Sequence, residues 1–269
     1  MQGRLSPQVD GKIQAFPWKD WRDEFITAQR YGFTLMEWTL DHDRLRENPL
    51  ITRSGQSEIR QLSAEHGVRV GSLTGDCLMQ TPFYKAKGAT RMALIDELRC
   101  VVDACLELGL RCIVVPLVDN GRIDNPHQRD DLGEGLAIVE KPLRDGGARI
   151  VFESDFGPSA LARFIAEFPA DTYGINYDTG NSAALGFDTG EEIAAYGDRI
   201  NNVHIKDRKL GGTTVPLGTG NADLPRTLRL LNEYGYRGGY ILQTARASDS
   251  DHAGVLCRYR DMALEWLAQ

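Results

Sequence analysis

The sequence predicts an α/β fold, a single (β/α)8 TIM barrel running from residue 1 to residue 269 as one domain. Three observations carry this expectation. Eight short β-rich runs alternate with helical patterns along the chain, and such alternation builds a parallel sheet covered by helices. The chain opens on a strand-like run and closes on a helical one, as a succession of βα units does. No GxGxxG or P-loop follows an early strand, although an open doubly wound sheet would be expected to carry one. The length of 269 residues also suits one barrel, for which about 250 residues is typical.

Taken in order, the first strand is expected at 1–5 (MQGRL), followed by a helix over 18–30 that stops before Tyr31 and Gly32. The second strand is 33–38 (FTLMEW), and its helix, 55–66, ends at Gly67. The third strand is 68–74 (VRVGSLT). The helix after it, 89–108, sets Met92, Leu94, Ile95, Leu98, Val102, Cys105 and Leu106 at helical spacing and closes on Gly109. The fourth strand, 111–117 (RCIVVPL), leads to a helix over 130–145 that ends at Gly146 and Gly147. The remaining strands are 149–153 (RIVFE), 174–178 (GINYD), 201–206 (NNVHIK) and 239–244 (GYILQT), with helices over 158–167, 190–196, 223–234 and 252–267. A glycine after several helices fits the left-handed cap that ends a helix before the next strand. The longest connections, 39–54 and 75–89, follow the second and third strands. In a barrel they lie over the C-terminal mouth, where ligands bind.

Composition excludes several classes. Hydrophobic residues make up 42% and charged residues 26%, the balance of a soluble globular protein. No apolar run approaches the ~18 residues of a membrane span, and the opening MQGRLSPQVDGKIQ lacks the apolar stretch of a signal peptide. The net charge of −7 argues against nucleic acid as a partner, and the densest basic stretch, Lys206 to Lys209, is interrupted by Asp207. The five cysteines are odd in number and lack CxxC spacing, which argues against a disulfide framework or a cysteine zinc site. Cys100, Cys105 and Cys112 read as small buried hydrophobes, and a reducing cytoplasm fits.

In a barrel, polar residues at the C-terminal strand ends are the functional candidates. Four successive strands each offer one ligand atom there: Glu153, Asp178, His204 and Gln243. Two carboxylates, an imidazole and an amide oxygen suit one hard or borderline divalent ion: Mn²⁺, Mg²⁺, Co²⁺ or Zn²⁺. Each residue alone has a plainer reading: a solvated strand end for Glu153, a turn for Asp178, a core histidine for His204, a rim hydrogen bond for Gln243. The coincidence of four strand ends carries the weight.

The segments GINYDTGNSAALG, RINNVHIKDRKLGGTTVPLGTGNADL and GYRGGYILQTAR, in this order, resemble the xylose isomerase-like TIM-barrel superfamily. The likeness is closer to its sugar-phosphate isomerase/epimerase members, and the opening MQGRLSP and the segment TGDCLMQTPF are also similar to that group. The resemblance implies a divalent metal held by Glu, Asp, His and Glu from strands five to eight, here Glu153, Asp178, His204 and the position of Gln243. That last position departs from the pattern. An amide oxygen can ligate a metal but cannot act as a base near neutral pH. Either Gln243 is a weaker ligand and Glu153 works with another acid/base group, or the site has lost metal or activity. Asn181 stands where some members carry a histidine, as a sugar-hydroxyl ligand or a cap.

The implied function is a metal-dependent sugar or sugar-phosphate isomerase or epimerase that moves a proton through an enediolate. Glu153 is the expected base and Lys206, sharing a strand face with His204, the expected enediolate or substrate-oxygen contact. Glu37, Asn181, Arg208, Arg246 and His252 are the candidates for binding substrate, with Arg4 a further cationic option, each against the plainer reading of a rim or surface contact. Asp76 and Cys77 follow the third strand and His42 the second; His66 and His127 read as surface residues. The alternatives are a lyase or dehydratase using the same enediolate, and a sugar-binding barrel with a degenerate metal site. The superfamily's apurinic endonucleases need more histidines than the five present here. Relatives of this kind are often dimers or tetramers, so a homo-oligomer is a further expectation.

Overall fold

The computed structural model describes residues 2–268. Seven parallel strands lie side by side in sequence order: β1 Leu35–Thr39, β2 Arg69–Thr74, β3 Cys112–Leu117, β4 Arg149–Ser154, β5 Tyr173–Asp178, β6 Ile200–Ile205 and β7 Tyr240–Leu242. The sheet curls until β7 lies against β1, which makes a nearly closed barrel. Ten α-helices accompany it among the described residues: α1 Asp23–Arg30, α2 Arg53–His66, α3 Asp76–Gln80, α4 Gly88–Leu108, α5 Pro126–Gly146, α6 Pro158–Ile165, α7 Thr179–Leu185, α8 Thr189–Tyr196, α9 Leu224–Glu233 and α10 His252–Leu267. Their boundaries follow local chemistry. Thr52 caps α2 through Gly55 N, and Gly67 ends it at φ 65°. Asn125 caps α5 with Pro126 in its first turn.

Period-two alternation sorts the strands into two faces. Met36, Trp38, Ile150, Phe152, Val203 and Ile205 are buried in the apolar core. Glu37, Glu153, Asn202 and His204, one residue out of phase, carry the polar interior of the barrel. The register shifts between Met36 and Glu37 and between Ile175 and Asn176 leave one extra residue on the neighbouring strand, Gly71 of β2 and Asn201 of β6.

The expected first strand is absent among the described residues; Met1 lies outside them. Residues 2–6 run as an irregular strap across the β1–β7 junction. Gln2 N donates to Glu37 O at 2.8 Å, and Arg4 Nη1 donates to Thr244 O at 2.7 Å. Gly3 explains why no ladder forms. Its φ of 75° is outside the β region, and an added Cβ would lie 2.7 Å from Ala15 O. Glu24 of α1 anchors the strap, accepting from Gly3 N, Leu5 N, Ser6 N and Ser6 Oγ.

Other boundaries also move. The first helix begins at Asp23, after turns that bond Asp20 N and Trp21 N to Pro17 O. The last strand stops at Leu242, although Gln243 N still donates to Ile205 O of β6 at 3.0 Å. The helix expected at 130–145 starts at Pro126. Short helices α3 and α7 occupy stretches expected as loop. Cys105 is buried as expected, whereas Cys100 and Cys112 are only half-buried.

Candidate active site

His204, fully buried near the end of β6, sits between two sets of carboxylates. Its Nε2 meets Glu37 Oε1 at 2.7 Å. Ser72 Oγ, Thr74 Oγ1 and Asn202 Nδ2 donate to the same Glu37 carboxylate at 2.7, 2.6 and 2.9 Å. Burial works against the charge on Glu37, yet the His204 ring and the two hydroxyls hold its carboxyl down at about 2. The other ring nitrogen, Nδ1, lies 3.3 Å from Glu153 Oε2 and 3.8 Å from Asp178 Oδ2. Burial alone would lower the His204 pKa, but the Glu37, Asp178 and Glu153 carboxylates raise it well above the ordinary value.

Glu153 and Asp178 are both held. Asn176 Nδ2 donates to Glu153 Oε2 at 2.8 Å and Asn181 Nδ2 to Oε1 at 2.6 Å. Asp178 caps α7: its Oδ1 accepts from Gly180 N at 2.9 Å and Asn181 N at 2.8 Å, leaving Oδ2 for the site. Burial would raise its carboxyl, but Lys206 and His204 hold it down at about 2. Ligand atoms of Glu153, Asp178 and His204 all lie within 4.8 Å of one another. The donor set therefore fits a divalent ion. Two carboxylates converge with an imidazole whose far nitrogen is fixed by a carboxylate, the outer contact that orients a metal-binding histidine.

Lys206 Nζ stands beside this cluster, 3.3 Å from Asp178 Oδ2, 3.3 Å from Asn181 Oδ1 and 3.1 Å from Gln243 Oε1. A Cβ at Gly180 would come within 2.6 Å of Lys206 Cγ, so the close pass needs glycine. From Gln243 a chain of amides runs to the far wall. Gln243 Nε2 donates to Gln14 Oε1 at 3.0 Å, and Gln14 Nε2 to Asp76 Oδ2 at 2.7 Å. Glu153, Lys206, Asn181, Gln243, Gln14 and Asp76 line one open cavity of about 610 Å³. Burial, with Asp41 and Glu153 adding repulsion, pushes the Asp76 carboxyl up to about 7 against the hydrogen bond from Gln14.

Glu153, Asp178, His204, Gln243, Lys206 and Asn181 thus come together, and Arg208 joins them through Asn181 Oδ1 at 2.8 Å. Glu37 lies beneath, on His204. Arg246 is committed elsewhere: it donates to Ser6 O at 2.7 Å and Ile13 O at 3.3 Å, pinning the N-terminal segment. Arg4 does the same from Thr244 O and Gln14 Oε1. His252, in the first turn of α10, is buried, with Nδ1 lacking a partner among the described residues. Neither Arg246 nor His252 lines the cavity. His42 pairs with Glu97, His66 with Gln29, and His127 is exposed. Sequence reasoning missed Gln14, Asn202, Ser72 and Thr74. Asn202 sits two residues before His204 and shares its face, a period-two signal that could have found it.

Residues 25–259 match the family described as xylose isomerase-like TIM barrel. Among curated relatives, the L-ribulose-5-phosphate 3-epimerase UlaE of Shigella boydii is 24% identical over 255 residues, covering 90% of this chain and 88% of that protein. The D-psicose 3-epimerase of Clostridium cellulolyticum H10, solved with D-tagatose, superposes with a TM-score of 0.70 at 14% identity, covering 93% of both chains. A xylose isomerase-like TIM barrel protein of Mycobacterium smegmatis, solved with magnesium, gives a TM-score of 0.70 at 20% identity over 96% of this chain and 91% of that one.

Proposed function

The chain belongs to the xylose isomerase-like TIM barrel family, and on that premise we propose that it is a divalent-metal-dependent isomerase or epimerase of a sugar or sugar phosphate. The observation that carries this reading is the buried convergence of Glu153, Asp178 and His204, with Glu153 lining a cavity large enough for a pentose or hexose. The names of the relatives, epimerases of a ketose and of a ketose phosphate, support the substrate class.

Glu153, Asp178 and His204 would hold the ion, with the Gln243 amide oxygen as a neutral fourth donor. When bound, the ion supplies the positive charge that acidifies a C–H next to a carbonyl and steadies the resulting enediolate. Glu153 takes that proton. Asn181 and Asn176 fix the Glu153 carboxylate, so its direction is set before substrate arrives. Lys206, beside the cluster, and Arg208 line the same cavity, where their charges meet the developing negative oxygen and the substrate hydroxyls. The second reading, a sugar-binding barrel without turnover, is favoured by one observation: Gln243 Oε1 accepts from Lys206 Nζ instead of turning to the cluster.

The test is elemental analysis of protein loaded with Mn²⁺, beside His204→Ala, followed by exchange of substrate C–H in D₂O. Near-stoichiometric metal lost in His204→Ala, with exchange abolished in Glu153→Gln, is the expected result. Sugar binding without exchange would select the binding barrel. Unchanged turnover in Glu153→Gln would remove Glu153 as the base.

A further inference from the structure

An epimerase needs a proton donor and a proton acceptor on different sides of one carbon. Gln243, where the resembling family carries a second glutamate, can be neither near neutral pH. We propose that Asp76 is the second acid/base group, acting with Glu153 to epimerise a ketose at C3. This rests on the epimerase reading above.

Four features of the structure converge on Asp76. It follows β2 directly and opens α3, so its backbone is fixed at the barrel rim rather than on a mobile loop. It lines the same cavity as Glu153, Lys206 and Gln243. It stands two strands from Glu153 around the rim, with β3 between them, so a carbon lying between the two carboxyls is approached from two directions. Gln14 Nε2 fixes Oδ2 at 2.7 Å, and no other hydrogen bond to this carboxylate forms among the described residues. The groups facing it are Asp41, Glu153, His204 and Arg4. Burial and the two carboxylates push its proton affinity up to about 7, which suits a group that must both give and take a proton. Of the other acids lining the cavity, Asp119 is exposed and Asp155 lies 3.5 Å from Arg122. Asp41 accepts from Phe16 N and Gln80 Nε2, and Asp178 accepts from Lys206 and caps α7.

The step balances with these two groups alone. Ionised Glu153 takes the C3 proton, and the C–H electron pair forms the C2–C3 double bond as the carbonyl pair moves onto O2. Protonated Asp76 then delivers its proton to the other face of C3, and the O2 pair reforms the carbonyl. Glu153 ends protonated and Asp76 ionised, and exchange with solvent through the open cavity restores both. In the reverse direction Asp76 takes the proton and Glu153 returns it.

The experiment measures deuterium wash-in at C3 from D₂O, starting from each member of an epimer pair, with Mn²⁺-loaded enzyme. The probes are D-fructose with D-psicose, and L-ribulose 5-phosphate with its C3 epimer. Asp76→Asn keeps an acceptor for Gln14 Nε2 but removes the titrating group. It should cut net epimerisation about a hundredfold or more, yet preserve wash-in from the one epimer whose proton Glu153 removes. Glu153→Gln removes an ion-holding carboxylate as well as the base, so it should lose wash-in from both epimers. The one-sided loss in Asp76→Asn cannot come from a structural defect, which would lower both directions together, and the preserved direction reports that the variant is folded. Equal loss from both epimers in Asp76→Asn, or epimerisation at the wild-type rate, overturns the assignment of Asp76. Ketose–aldose conversion by the wild type with no C3 epimer overturns it as well and leaves the isomerase reading standing. Wild-type enzyme inert toward all four sugars overturns both.

Discussion

Glu37 has no solvent contact and no route to substrate, yet four side chains converge on its carboxylate. Its effect on the site runs through His204. A carboxylate on Nε2 keeps the proton on that nitrogen and leaves the Nδ1 lone pair for a cation. Glu37→Gln keeps the shape and removes the charge, so the amide no longer selects one tautomer. Mn²⁺ affinity should fall by about 10–100-fold, read by calorimetric titration, while far-UV circular dichroism stays that of the wild type. Unchanged affinity would mean that Asn176, whose Nδ2 lies 3.1 Å from His204 Nδ1, orients the ring without Glu37. Glu37 was visible in the sequence as the one charge in an apolar strand, but its target was not, because Glu37 and His204 stand 167 residues apart. Asp178, Glu153 and His204 were easier, since each ends or nearly ends a strand whose face the alternation fixes. Gln14 was invisible: it lies in an irregular segment with no periodicity, and only the folded strap brings it to Asp76 and Gln243.

At the scale of elements, the strap shows why the first strand was misread. MQGRL has strand-like composition, but Gly3 at φ 75° breaks the extended path, and the backbone donors of Gly3, Leu5 and Ser6 turn to Glu24 instead of a neighbouring strand. The short helices α3 and α7 escaped notice for another reason. Each is at most seven residues long, too short for a helical period to register, and α7 exists because Asp178 caps it. The interior strands were legible because their outward faces are apolar: Ile113, Val115 and Leu117 of β3, Ile150 and Phe152 of β4, and Val203 and Ile205 of β6. One buried carboxylate thus holds the segment that delivers Gln14 to the cavity. In Glu24→Ala, three backbone donors lose their acceptor at a cost of about 1–3 kcal/mol each if they stay buried, so the strap should detach instead. Brief trypsin digestion should then cut at Arg4 or Lys12 while the helices stay protected, and the wild type should resist cleavage at both sites. Mass spectrometry of the fragments decides it. Equal resistance in the variant would mean that Arg4 and Arg246 hold the strap without Glu24.

For the whole molecule, the barrel is polar at its axis where a typical barrel packs branched apolar side chains. The buried charges are tolerable because they compensate one another: Glu37 and His204 pair directly, and Asp178 is matched by Lys206 and His204. Without an ion, His204 supplies that compensation only while protonated. Its pKa is raised above the ordinary 6.5 in the fold, so its stabilising effect is complete below 6.5 and is lost as the pH rises through the raised value. A divalent ion reverses the dependence, because it needs Nδ1 free of its proton and binds more tightly as the pH rises. Stability of the metal-free protein should therefore decline on the alkaline side, and stabilisation by Mn²⁺ should grow there. At a free Mn²⁺ concentration a hundred times its dissociation constant the gain is about 2.7 kcal/mol, or roughly 5–10 °C in Tm for a chain of this size. The measurement is Tm by calorimetry at pH 5.5 and pH 8, with Mn²⁺ and with excess chelator, for the wild type and His204→Ala. The gain should be larger at pH 8, vanish with chelator and be absent in His204→Ala. A gain equal at both pH values would mean that the ion binds away from His204, on carboxylates that are ionised throughout this range.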